Sequence, residues 1–159
     1  MHTVQKIAIG SDHNGFQYKE AIKKQLEKTG YAVEDLGQHE EHPPAPDFSM
    51  AEQVALRVAR GEADRGILIC GSGAGMCIAA NKVQGCFAAL CFDGFTAEVA
   101  RTRNNANILT MGSKTIDLEL AQEIVQVFLA TAFEDGKGNE RNVVRNRHLL
   151  DMDNTYRKK

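Results

Sequence analysis

Five times along the 159-residue chain, a short and nearly unbroken apolar run is followed by an amphipathic stretch. This alternation limits the fold more tightly than any other feature. The runs are Lys6–Gly10, Tyr31–Leu36, Gly66–Cys70, Phe87–Phe92 and Asn107–Met111. Each has the length of a strand and lacks polar alternation, as expected where a parallel sheet is covered on both faces. Between them, Phe16, Ile22 and Leu26 recur at helical spacing, as do Val54, Ala55 and Val58, with Gly30 and Gly61 placed to end the helices. Leu118, Ala121, Ile124, Val125, Phe128 and Leu129 form a third apolar stripe. The pattern predicts a single α/β domain over residues 1–159, a doubly wound, Rossmann-like sheet of five parallel strands in the order 2-1-3-4-5, with helices on both faces. Pro43-Pro44-Ala45-Pro46 reads as a loop before the second helix. Asn139 to Lys159 reads as a C-terminal helix, giving way to a tail from about residue 148.

Composition narrows the function classes. Apolar residues make up 43% and charged residues 25%, values of an ordinary globular domain. A net charge of −2, from 19 Lys+Arg against 21 Asp+Glu, gives no electrostatic support for a nucleic-acid surface. No apolar run approaches the ~20 residues that span a bilayer, and Met1–Lys6 has no signal-like apolar region, so no membrane association is expected. Cys70, Cys77, Cys86 and Cys91 form no Cys-x-x-Cys pair and have no histidine at zinc-ligand spacing, so no metal site is expected. Reduced cysteines in a cytoplasmic protein are the expected state.

In an open α/β sheet, ligands bind beyond the carboxyl ends of the strands where the strand order reverses, here between strands one and three. After strand one come Asp12 and His13, a polar pair suited to a site, although Asp12 reads equally well as a helix N-cap. After strand three comes Cys70-Gly71-Ser72-Gly73-Ala74-Gly75. Its glycines let backbone N–H groups converge on an anion, beside a cysteine whose thiolate they would favour. Cys77, Cys86 and Cys91 lack such neighbours and read as packing residues. A phosphatase loop would need an arginine where Met76 stands, and a P-loop would need a closing Gly-Lys-Ser/Thr. The glycine spacing departs from the dinucleotide fingerprint, although Asp93 ends the next strand. Two basic clusters follow. Arg103 and Asn104 precede strand five. Arg141 and Arg145 share one helix face, where a pair of guanidiniums suits a phosphate and a solvated basic face is the plainer reading. Placed together at one sheet edge, the four clusters suit proton transfer on a phosphorylated small molecule.

Several of these segments resemble one family. Gly10-Ser11-Asp12-His13-x-Gly15, Cys70-Gly71-Ser72-Gly73-x-Gly75, Ile78-Ala-Ala-Asn81-Lys82 and Asn104-x-Ala106-Asn107 are similar to the ribose-5-phosphate isomerase B family, which includes the galactose-6-phosphate isomerase subunits. The resemblance spans roughly residues 6 to 147 and is carried most specifically by the Cys70 loop. It implies an aldose–ketose isomerase that works through a cis-enediol without metal or organic cofactor. Cys70 would be the base, and Ser72 with the amides of Gly71, Gly73 and Gly75 would hold the enediolate oxygen. Asp12 would shuttle the O1/O2 proton beside His13, Asn104 would contact the open-chain sugar, and Arg141, Arg145 and Lys114 would grip the phosphate. It further implies a homodimer, or a dimer of dimers, with sites at the subunit interface.

Four positions depart from the family pattern. Arg103 replaces a ring-opening histidine, Asn142 replaces the histidine of Arg-His-x-x-Arg, Lys114 replaces an arginine, and Ala45 replaces a tyrosine. A guanidinium is no acid or base near neutral pH. Ring opening therefore falls to Asp12, His13 or water, or the substrate is already open, as a four-carbon sugar phosphate must be. Arg103 would equally suit a substrate phosphate or carboxylate. Ribose 5-phosphate to ribulose 5-phosphate is the expected reaction. Other readings are an isomerase of a four- or six-carbon sugar phosphate, a non-catalytic partner subunit that binds sugar phosphate, and a receiver-like domain using Asp12 and Lys114.

Overall fold

The computed structural model describes residues 3–39 and 47–157, so the proline loop at 43–46 lies outside the described residues. Strands β1 (Lys6–Ser11), β2 (Ala32–Asp35), β3 (Arg65–Cys70), β4 (Ala88–Leu90) and β5 (Ile108–Gly112) alternate with helices α1 (Phe16–Lys28), α2 (Ser49–Ala59), α3 (Ala74–Ala80), α4 (Gly94–Thr102) and α5 (Leu118–Ala130). A final helix, α6, covers Glu140–Tyr156. It continues well beyond residue 148, where a tail was expected.

All strand pairs are parallel. Side chains of successive strand residues point to opposite faces, which splits the core in two. Ile7, Ile9, Ile67, Ile69, Leu109 and Met111 meet Ile22 and Leu26 of α1, Ala97 and Ala100 of α4, and Ile124, Val125 and Phe128 of α5. Ala8, Leu68, Cys70 and Ile108 meet Met50, Val54 and Val58 of α2 and Met76 and Ala80 of α3. With both faces covered, continuous apolar runs are what the strands require.

The strand order is β2-β1-β3-β5-β4, which corrects the expected 2-1-3-4-5. All five residues of β5 are buried, and it pairs on both sides; β4 is three half-buried residues and takes the edge. The reversal between β1 and β3 is unaffected, so the crevice stays where the sequence put it. Among the described residues no helix is long and apolar enough to cross a membrane.

Candidate active site

Three loops meet at the carboxyl edge of the sheet, after β1, β3 and β5. Gly15 lets the start of α1 lie directly on β3, since a Cβ there would stand 2.3 Å from the Ile69 carbonyl oxygen. The Asp12 N–H donates to Ile69 O at 3.2 Å. Its carboxylate Oδ1 accepts the N–H groups of Asn14 (2.9 Å) and Gly15 (3.0 Å), holding the turn that carries exposed His13. The N-cap of α1 is Gly15, without a side-chain cap, so Asp12 closes the turn ahead of the helix rather than capping it. Ser113 Oγ donates to Asn14 O at 2.7 Å, and the N–H groups of Ser113 and Lys114 donate to Cys70 O (2.8 Å) and Gly71 O (3.0 Å). A Cβ on Gly71 would lie 3.5 Å from Lys114 Cδ and 3.7 Å from Asn14 Nδ2. Asn14, which the sequence reading passed over, therefore belongs to the same cluster as Lys114.

Cys70 ends β3 and is buried, 7% exposed as a residue. Its Sγ accepts the Gly73 N–H at 3.1 Å, the kind of bond a thiolate accepts well. Gly73 caps α3 at φ 77°, which glycine adopts without a Cβ penalty. The Ala74 N–H donates to Ser72 Oγ at 3.2 Å. Part of the amide nest is thus filled by the loop itself, and the Gly73 amide serves the cysteine rather than open space. Gly75 faces the Phe48 ring, where a Cβ would sit 2.8 Å from the ring carbons. Cys86 and Cys91 are buried packing residues, while Cys77 is half-buried with its Sγ donating to Ala88 O at 3.5 Å. Burial pushes the Cys86 and Cys91 thiols up to about 11, where little thiolate forms at neutral pH. All four cysteines are free.

The other two clusters lie at the opposite edge, which corrects the expectation that all four share one. Helices that cross over a parallel sheet run against its strands, so the end of α4 lies where β5 begins. The chain passes from Arg103 and Asn104 through Ala106 to Asn107, whose carbonyl accepts the N–H of Gly66 at the start of β3. The five residues of β5 alone span roughly 16 Å from this edge to Lys114. Helix α6 follows the same edge, from the end of α4 to the end of α3, where Arg157 Nη2 bonds Asn81 O at 2.7 Å. Its Asn142 and Asn146 are buried, while Arg141 and Arg145 are exposed around a hollow shared with Glu140 and Val144. Arg101, a neighbour of this turn, is 2% exposed, and burial lowers its guanidinium to about 10.

Two alternatives fall away on geometry. Asp93, noted at the end of the next strand in the dinucleotide reading, accepts the Thr96 N–H at 2.7 Å as the N-cap of α4. It follows β4, which β5 separates from the Cys70 strand. A receiver-like domain would need an acidic acceptor where Cys70 ends β3.

Comparison with known proteins gives the family. A family model described as Ribose/Galactose Isomerase matches residues 7–145. Ribose-5-phosphate isomerase B of Escherichia coli (strain K12) is 43% identical over 139 residues, covering 87% of this chain and 92% of that protein. The 4-deoxy-4-sulfo-D-erythrose isomerase of Clostridium sp. (strain MSTE9) is 44% identical over 130 residues, covering 82% of each. The structure of ribose-5-phosphate isomerase B from Clostridium thermocellum superposes with a TM-score of 0.89 at 40% identity, covering 96% of this chain and 100% of that one. With the family model over most of its length and the Cys70 loop at the expected crevice, the chain belongs to the ribose/galactose isomerase family and is an aldose–ketose isomerase.

Proposed function

We propose that the chain interconverts an aldose phosphate and its ketose, with ribose 5-phosphate and ribulose 5-phosphate as the first pair to test. The observation that carries the reading is the placement of Cys70 Sγ, fixed by the Gly73 N–H beside the Asp12–His13 turn and Lys114. In the forward direction the Cys70 thiolate takes the C2 proton of the open-chain aldose. The C–H electrons form the C1=C2 bond, and the carbonyl electrons move onto O1. Ser72 Oγ and the amides of Gly71 and Gly75 stabilise that oxygen. Asp12 passes the proton of the C2 hydroxyl to O1, and the thiol returns its proton to C1, giving the ketose without net consumption of any group.

Phosphate recognition by Arg141 and Arg145, with Asn104 on the sugar, requires a second copy of the chain. These residues stand a strand's length from Cys70 within one copy, so the proposed site joins the carboxyl edge of one protomer to the amino edge of another. A homodimer or dimer of dimers in a cytoplasmic setting completes the proposal, with the free cysteines supporting a reducing compartment.

Proton NMR in D2O tests the chemistry. Ribose 5-phosphate should gain the signals of ribulose 5-phosphate with deuterium exchange at the transferred position. Cys70→Ala should abolish this while the folded spectrum persists, and unchanged turnover in Cys70→Ala would remove the cysteine mechanism. A second reading, a four-carbon sugar phosphate, is favoured by Arg103, which cannot open a ring, and by a relative that acts on a four-carbon sulfo sugar. Turnover of D-erythrose 4-phosphate but not ribose 5-phosphate would select it.

A further inference from the structure

A helix leaves its last carbonyls without intrahelical donors. Where α4 ends, the backbone N–H groups of Arg103, Ala106 and Asn105 take the carbonyls of Val99, Ala100 and Arg101. Thr102 O accepts the Glu134 N–H at 3.1 Å, and side chains from far along the chain bind the turn that follows. Asn142 Nδ2 donates to Thr102 O (3.4 Å) and Glu134 O (3.2 Å), and Asn146 Nδ2 donates to Asn104 O (3.2 Å). From within, the Arg101 guanidinium donates to Asn105 Oδ1 at 3.1 Å and to the Ala106 carbonyl. Between these contacts the chain reverses through Asn105, at φ 49°. The turn bearing Arg103 and Asn104 is therefore braced from two sides.

The choice of residue on α6 is informative. Asn142 and Asn146 are 8% and 9% exposed and stand one helical turn apart on its inward face. Asparagine is a poor helix former, and burying an amide costs stability unless it is hydrogen-bonded. An apolar pair would bury more favourably but would not fix how far the helix slides along the turn. Amide bonds to specific carbonyls do fix it. Each asparagine also directly follows one of the two exposed arginines, so the anchorage that sets Asn142 and Asn146 sets where Arg141 and Arg145 emerge.

We infer that Asn142 and Asn146 are positioning residues that lock the Arg103–Asn104 turn and the Arg141/Arg145 face into one preformed block, presented as a unit to the substrate. This rests on the reading that the block reaches a sugar phosphate held by a second copy. Preformation lowers the ordering cost of binding, so its loss appears in KM more than in kcat.

The test is a double-mutant cycle. Asn146→Asp keeps the shape and exchanges the donor for an acceptor. With ribose 5-phosphate, or D-erythrose 4-phosphate where only the shorter sugar is turned over, it should raise KM about tenfold and leave kcat within about twofold. Asn146→Gln, which retains an amide donor, should recover most of that loss. In an Arg103→Ala/Asn104→Ala background the effect should shrink to about threefold or less, because the turn has lost its side chains. An unchanged KM, or the full tenfold effect in that background, overturns the inference. An Arg103→Ala/Asn104→Ala enzyme with native KM instead overturns the assignment of the turn to the substrate. Hydrogen exchange at amides 103–106 reads the brace independently of catalysis: faster exchange in Asn146→Asp supports it, and native exchange removes it.

Discussion

Gly73 carries two loads at the residue scale. Its φ of 77° starts α3, and it brings the loop within a hydrogen bond of Cys70 Sγ. A Cβ there would stand 2.5 Å from Leu90 Cδ1 and 2.8 Å from the Met111 carbonyl carbon. Leu90 could rotate away, but the backbone of β5 could not. Gly73→Ala therefore combines left-handed strain with a backbone clash, and should lower stability by about 1–3 kcal/mol in urea denaturation. Because the displaced N–H is the one given to sulfur, kcat should fall in enzyme that remains folded at low urea. Native kcat in a destabilised Gly73→Ala protein would mean that the Gly73–Cys70 bond is structural only.

Elements are joined by a charge cluster that the hydrophobic pattern does not reveal. Lys19 of α1 is fully buried, with Nζ 2.6 Å from both Asp35 Oδ2 at the end of β2 and Glu20 Oε1; Lys23 Nζ also reaches Asp35 at 2.9 Å. Burial acts to raise the Asp35 carboxyl, but the two ammonium groups and the Gly37 N–H outweigh it and hold the group at about 2, against 3.8 for an ordinary aspartate. A depressed carboxyl contributes stability above the unfolded-state value and loses it as pH falls through the folded-state one, so this contribution should fade between about pH 4 and pH 2. Asp35→Ala leaves a buried ammonium with only Glu20 and Lys23 beside it, and should cost about 3 kcal/mol at pH 7. The gap between wild type and variant should narrow as pH approaches 2; a gap independent of pH would place the cost in packing instead.

What was legible in the sequence follows the same division between local and long-range causes. Strands were readable because burial on both faces leaves a continuous apolar run. Their order was not, since exchanging β4 with β5 depends on which strand is flanked on both sides, which a three-residue strand hardly records. Cys70 and Asp12 were placed beside the crevice by the rule that ligands lie after the strands, and Cys70 does end β3 while Asp12 directly follows β1. Arg103 and Asn104 were put at the wrong edge although the direction of a crossover helix decides it. Asn142 was read only as the replacement of a histidine and Asn146 was passed over, because their partners are carbonyls about 40 residues earlier in the chain.

At the scale of the whole molecule, the proposed joining of the two clusters across copies would make activity a property of an assembly. Cys70→Ala should inactivate the carboxyl edge, and Arg141→Ala/Arg145→Ala the amino edge, each alone giving an inactive homodimer. Mixed by unfolding and refolding together at equal amounts, half the dimers would carry one copy of each kind. Within such a dimer, one site combines both defects and the other combines an intact Cys70 edge with an intact arginine face. Activity should therefore return to about a quarter of wild type, a fraction set by symmetry alone. If every site were built within one chain, no mixture could restore activity, since each copy would bring its own defect to its own site. Recovery near a quarter, with sedimentation showing dimers or larger assemblies, would place the substrate between copies. A mixture as inactive as its parents would mean that each site is built within one chain, and an active Arg141→Ala/Arg145→Ala homodimer would leave the two arginines without a part in phosphate binding.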